Sequence, residues 1–255
     1  MPSTMNTTTD TTALKRLTST LINDALAEIR YSRPNSSAGK EKHFRTAEYF
    51  LLEARDYVDG AWDMLAIGNV GASLAISRWT LEAAMNLFWV ASAEDKVEQR
   101  LTDLAGEALR QDANLVADLA QLWPDQAHVL QERANRARQM RNDLGSAKLE
   151  PLDNRMKDIR PPDRADWPKH YVLYRICCSA VHPGLRLWER FTAVDQATVS
   201  SESSNDTLLT PDIATHMAAA TPLFLVSSCC CLTHTGDLLQ ELRGWWGTKV
   251  EPLLG

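Results

Sequence analysis

Cysteine is scarce in this chain of 255 residues: there are five, an odd number, in the clumps Cys177-Cys178 and Cys229-Cys230-Cys231. The gaps of about two to four residues that frame a zinc site are missing, and adjacent residues on a helix point in different directions, so one clump cannot wrap a tetrahedral ion. The thiols read as small reduced residues packed in a core, with metal or redox chemistry as the alternative. A Gly-rich phosphate loop, an internal repeat and a heptad run are also missing, which excludes P-loop nucleotide binding and solenoid architectures. Alternating β-branched runs bounded by turn pairs are hard to find, so a sheet protein is excluded. The longest apolar stretch, Met217 to Thr233, contains Pro222 and two serines. It falls short of the roughly 20 residues a bilayer-spanning helix needs and reads as a buried core helix, with no membrane partner expected. Met1 to Thr12 is dominated by Thr, Ser and Asn, without a basic start or an apolar run. Residues 1–12 therefore read as a disordered tail rather than a secretory signal, and the expected location is cytoplasmic.

What is present is a soluble globular composition: 44% apolar, 24% charged and 8 Trp. The 27 basic and 33 acidic residues give a net charge of −6. That balance argues against a chain coated with basic surface for duplex DNA or anionic membrane, and leaves room for a local basic patch. Almost every periodic segment repeats at helical spacing, which predicts an all-α fold: a single multi-helix bundle over residues 13–255. An amphipathic helix opens over Thr11 to Tyr31, and Ser32-Arg33-Pro34-Asn35-Ser36-Ser37 breaks it. From Lys40 a long helix carries Phe44, Ala47, Leu51, Ala54, Val58, Trp62 and Leu65 on one face and ends near Gly68-Asn69. The next, Ala72 to Ala93, is apolar nearly all round and reads as the central helix. Two helices then follow over Glu94 to Gln111 and Asn114 to Leu122, and Pro124 starts another that runs to Asp143. A long surface loop is expected at about 145–168, because Arg160-Pro161-Pro162-Asp163 suits no regular helix. A helix restarts at Pro168, breaks at His182-Pro183-Gly184 and resumes to Phe191, and a polar loop covers about 193–209. Thr210-Pro211-Asp212 has the hydroxyl cap, N1 proline and first-turn acid of a helix start. That last helix is expected to reach Arg243, with a bend at Pro222.

Three polar constellations are candidates for chemistry. On the helix from Pro168, Tyr171, Arg175, Cys178 and His182 fall within a stripe of roughly 60°. Arg175 and His182 are two turns apart, about 10.5 Å of rise, so both could reach one phosphate. Arginine offers a fixed cationic fork and histidine titrates near neutral pH. The structural alternative has His182 capping a carbonyl and Arg175 paired with a carboxylate. In the apolar central helix, Arg78, Glu82 and Asn86 are spaced four apart. They read as an internal ion pair of Arg78 with Glu82, or as a bridge from Glu82 to Arg175, and otherwise as support for the Arg175 and His182 pair. The third is Arg133, Arg136, Arg138 and Arg141, followed by Arg155, Lys157, Arg160 and Arg164, with Glu132, Asp143, Asp153, Asp158 and Asp163 interspersed. It reads as a solvated face or as a patch for RNA or nucleotide phosphates, in which Arg133, Arg141 and Arg160 would make the contacts.

The segment Phe44 to Ala93, with Leu65-Ala66-Ile67-Gly68 at its turn and Arg78-Trp79-Thr80-Leu81-Glu82-Ala83 in its second helix, resembles the opening helix pair of the HEPN superfamily. Arg175-Ile176-Cys177-Cys178-Ser179-Ala180-Val181-His182 is similar to that superfamily's motif of Arg, four to six residues, then His. The early Arg and Glu with a later Tyr, Ser and His-Pro also resemble bacterial helical families of unassigned function. The HEPN resemblance implies a metal-independent RNase of the toxin or antiviral-defence type, without a cofactor, its site formed between two protomers of a homodimer. In it His182 would move the protons, Arg175 would stabilise charge on the phosphate, and Arg78, Glu82 and Tyr171 would support them. Two departures are visible. Ile176 stands where active members carry a polar residue, and Arg141-Asn142-Asp143 has the expected start but lacks the following His. The rival expectation is a non-catalytic helical module, a nucleotide sensor or a partner for another protein.

Overall fold

The computed structural model describes residues 10–33, 38–159, 174–175, 177–178, 210–235 and 246–254. Among the described residues there is helix and no strand, so the fold is all-α. The helices are α1 (Thr11–Ser32), α2 (Glu41–Ala66), α3 (Val70–Ala91), α4 (Val97–Leu122), α5 (Ala127–Leu144), α6 (Leu152–Lys157), α7 (Pro211–Thr233) and α8 (Glu251–Leu254). They fall into two compact units, where the sequence reads as one bundle. One unit comprises Met1–Phe88 with Ala165–Gly255, and the other Trp89–Arg164, so the boundary lies in the last turn of α3.

In the first unit, α1, α2 and α7 pack on one another. Their core is made by residues at helical spacing, including Leu14, Leu21, Ile22, Ile29, Leu51, Val58, Leu225 and Leu232, all buried. Thr18 ties α1 to α2: its hydroxyl accepts from the Trp62 indole N–H at 2.9 Å and reaches the Leu14 carbonyl at 3.0 Å. α3 meets α2 through Trp79, which stacks on Tyr57 with centroids 4.2 Å apart. The α2–α3 turn follows the sequence. Gly68 takes φ +76°, which an L side chain resists, and the Asn69 side chain accepts the Ala72 N–H to open α3.

Asp10 caps α1 by accepting the Ala13 N–H, so Thr11 and Thr12 are helical rather than part of a disordered tail. The cap predicted for α7 is present, Thr210 Oγ1 accepting the Ile213 N–H at 3.2 Å. α7 ends earlier than expected, at Thr233, because His234 turns left-handed (φ 57°) and gives its N–H to the Cys230 carbonyl. Among the described residues α7 is the one helix long and apolar enough to cross a membrane, and 72% of its apolar window is buried inside the protein. It is a core helix with Pro222 in its interior.

The second unit is built on the α4–α5 hairpin. The break expected at Asp112-Ala113 is absent and α4 runs through. Ala113 is buried and Asp112 is held by Arg133 of α5 at 2.7 Å, so packing overrides weak local propensity. The expected surface loop is interrupted by α6, which brings Met156 and Ile159 into the core. Gly106 is required by a close approach, since a Cβ there would sit 1.9 Å from Ser146 Oγ and 2.3 Å from its Cβ. Arg100 and Arg155 are both buried and lie over the Trp89 indole at 4.5 and 5.5 Å. Arg100 also gives hydrogen bonds to the Trp89 carbonyl and to Ser92 Oγ, and burial lowers its pKa, opposed by the charges of Asp158 and Asp95.

Candidate functional site

The polar line predicted on α3 meets the helix that carries Arg175. The residue it meets is Tyr174. The phenol hydroxyl donates to Glu82 Oε2 at 3.2 Å and accepts from Arg78 Nη2 at 3.3 Å. Arg78 and Glu82 are themselves 3.8 Å apart, one turn along α3. The Arg78 guanidinium also lies 5.5 Å from the centroid of the Tyr174 ring. Of the two arrangements open from sequence, the ion pair of Arg78 with Glu82 is the one formed, with Tyr174 closing it into a triangle.

Burial sets the electrostatics here. It pushes the Tyr174 phenol up to about 12, with the Glu82 charge adding and the Arg78 hydrogen bond opposing. Burial works to lower the Arg78 guanidinium, but Tyr174, Cys178 and Glu82 outweigh it, so its pKa is raised and the cation is secure. Next along, burial pushes the Cys177 thiol up to about 12. At neutral pH the triangle is a fixed cation, a carboxylate-bearing side chain and a neutral phenol that donates a hydrogen bond.

Arg175, the residue after Tyr174, is exposed. Tyr171, His182 and Arg160 lie outside the described residues. Asn86 is half-buried on the same helix as Arg78 and Glu82. Arg133 is exposed and paired with Asp112. Arg141 is half-buried, its Nε without a hydrogen-bond partner among the described residues. The Glu107 carboxyl is held below its usual range by hydrogen bonds from Arg110 and Gln111 and by the charges of Arg110 and Arg141, against the effect of burial. The structure therefore brings together Arg78, Glu82, Tyr174 and, adjacent to them, Arg175 and Cys178.

Tyr174 was missed from sequence although a signal was there: it precedes Cys178 and His182 by four and eight residues, about 40° from Cys178 around the helix. All five cysteines are free thiols, and among the described residues no group of three or more His, Cys, Asp or Glu is placed to hold a metal ion. Elsewhere, an open groove of about 650 Å³ lies between α4 and α5, lined by Ala117, Gln121, His128, Gln131, Glu132 and Asn135 among others. No protein-family model, curated protein or solved structure matches the chain.

Proposed function

We propose that this all-α protein is a metal-independent endoribonuclease of the toxin or antiviral-defence type, acting in the cytoplasm as a homodimer. The observation that carries the reading is the division of labour around Tyr174. Glu82 is engaged by Arg78 and Tyr174, so it does not hold Arg175, whose guanidinium is exposed on the next residue. An exposed guanidinium suits a phosphodiester, because it keeps its charge at every working pH and its fork matches phosphate oxygens.

The resemblance of Arg175–His182 to the HEPN motif gives proton transfer near neutral pH to His182. In the reaction, His182 takes the proton of a ribose 2′-hydroxyl, whose oxygen attacks the adjacent phosphorus. The bond from phosphorus to the 5′-oxygen of the next nucleotide breaks, that oxygen takes the proton back from His182, and Arg175 stabilises the charge on the phosphorane-like transition state. The products carry 2′,3′-cyclic phosphate and 5′-hydroxyl ends. A substrate with one 2′-deoxy nucleotide tests this directly: cleavage should vanish at that position alone, and cleavage that continues there rules out 2′-hydroxyl attack.

A second reading has its own observation. The Arg78, Glu82 and Tyr174 triangle is satisfied internally, as a helix-docking device would be, while the α4–α5 hairpin exposes large apolar side chains. On that reading the protein is a non-catalytic helical interaction module.

A further inference from the structure

One carboxylate of α2 sits among aromatic rings, all within the first unit. Glu53 is exposed, and among the described residues it makes no hydrogen bond or ion pair. Tyr49 and Tyr57 lie one turn before and after it, about 40° to either side, and Phe50 is about 60° away. A fourth ring arrives from α3: Trp79 stacks on Tyr57 with centroids 4.2 Å apart and planes 9° from parallel, and lies 6.3 Å from Phe50. Tyr49 meets Phe50 edge-on at 5.5 Å and is 56% exposed. Phe50, Tyr57 and Trp79 are half-buried, so part of each ring reaches the surface. Burial, the Glu53 charge and Tyr57 together raise the Tyr49 phenol above its ordinary range, which places the carboxylate within electrostatic reach of that ring. The cation nearest to Glu53 in sequence, Arg55, is about 160° away around the helix and lies 3.8 Å from Asp56.

We infer that Glu53 and these rings form a binding site for the guanidinium of an arginine side chain on another protein. A carboxylate and an aromatic face attract the same kind of ligand, a cation, because the face is the negative part of the ring quadrupole. An apolar side chain laid here would bury the carboxylate without a partner, and an anion would be repelled by it. Shape selects arginine among the cations. A guanidinium is planar and weakly hydrated, lies flat on an aromatic ring, and gives parallel N–H donors to both oxygens of one carboxylate. The Tyr57 and Trp79 rings already form a parallel stack, which a flat cation extends. An ammonium is a strongly hydrated point charge and gains less from flat rings. The net charge of −6 draws a basic segment toward the chain. The inference concerns a partner protein and does not depend on the nuclease reading.

Calorimetric titration of the full chain with an acetylated and amidated Gly-Arg-Gly-Arg-Gly peptide, beside its lysine counterpart, tests it. The arginine peptide should bind at least about 5-fold more tightly than the lysine peptide. Glu53→Gln and Tyr49→Ala, both at exposed positions, should keep the parent's circular dichroism and weaken binding by at least about 10-fold. Tyr49→Phe, which keeps the ring, and Asp118→Asn, which removes an exposed charge from the second unit, should each stay within about 2-fold of the parent. An arginine peptide that does not bind at about 1 mM overturns the inference. Binding that Glu53→Gln and Tyr49→Ala leave unchanged overturns it as well, because the peptide then sits elsewhere. Equal affinity for the lysine peptide, or an equal loss in Asp118→Asn, also overturns it, since general charge attraction then accounts for the binding.

Discussion

Replacing Tyr174 by Phe removes one oxygen from the site and leaves the ring in place. The lost hydroxyl donates to Glu82 at 3.2 Å and accepts from Arg78 at 3.3 Å. Hydrogen bonds to charged groups contribute about 1.5–3 kcal/mol when well formed and buried; these two are long and half-buried, which places the combined loss at about 1–2 kcal/mol. The attraction of the Arg78 guanidinium for the ring is retained by Phe. Urea unfolding should therefore give a lower midpoint at unchanged slope. The same variant reads the phenol's ionisation. Its folded pKa is raised to about 12 from 10.0, so the stabilisation it brings is complete below pH 10 and is lost as pH rises toward 12. Alkaline titration followed by tyrosinate absorbance should show one phenol ionising near 12 in the parent and none there in the variant. A loss under about 0.3 kcal/mol, or a titration curve that Tyr174→Phe leaves untouched, would refute the triangle as a linked unit.

Gly106→Ala should destabilise the second unit by about 1–3 kcal/mol despite its better helix propensity, because the new methyl enters the space of Ser146. Adding Ser146→Gly should restore most of the loss in thermal unfolding, since both close contacts are to that side chain. Thr18→Val should cost about 1–3 kcal/mol by orphaning the buried Trp62 indole N–H, seen as a reduced urea midpoint. A disulfide reagent near pH 8 should titrate at most two thiols quickly, the half-buried Cys178 and Cys231. Burial pushes Cys230 up to about 11, Cys177 to about 12 and Cys229 well above its ordinary value. All five thiols should react once the chain is unfolded.

Periodicity made α1, α2, α3 and α7 legible, because their apolar residues recur at helical spacing and their ends carry explicit signals: Gly68 with Asn69 at one turn, Thr210 with Pro211 at another. The errors fell where long-range contact decides. Asp112 looks like a break until Arg133 meets it from the neighbouring helix, and the 145–168 segment looks like loop until Met156 and Ile159 find a core. Arg155 reads as a surface charge in a basic run, yet it is buried over Trp89 together with Arg100, a placement that no local pattern encodes. In the candidate site, Arg78 with Glu82 was visible as i, i+4 spacing on an apolar helix. That Tyr174 of the later helix meets them was not, because tyrosines three residues apart differ by a rotation of only about 60° on a helix, too little for periodicity to single one out.

The proposed nuclease is tested most directly by incubating the full-length protein with mixed-sequence single-stranded RNA in EDTA, beside Arg175→Ala and His182→Ala proteins that retain the parent's circular dichroism. Cleavage by the parent that falls at least about 100-fold in both variants is the expected result. Equal inactivity of all three proteins, or a cleavage rate that neither substitution changes, contradicts it and leaves the helical interaction module as the reading that stands.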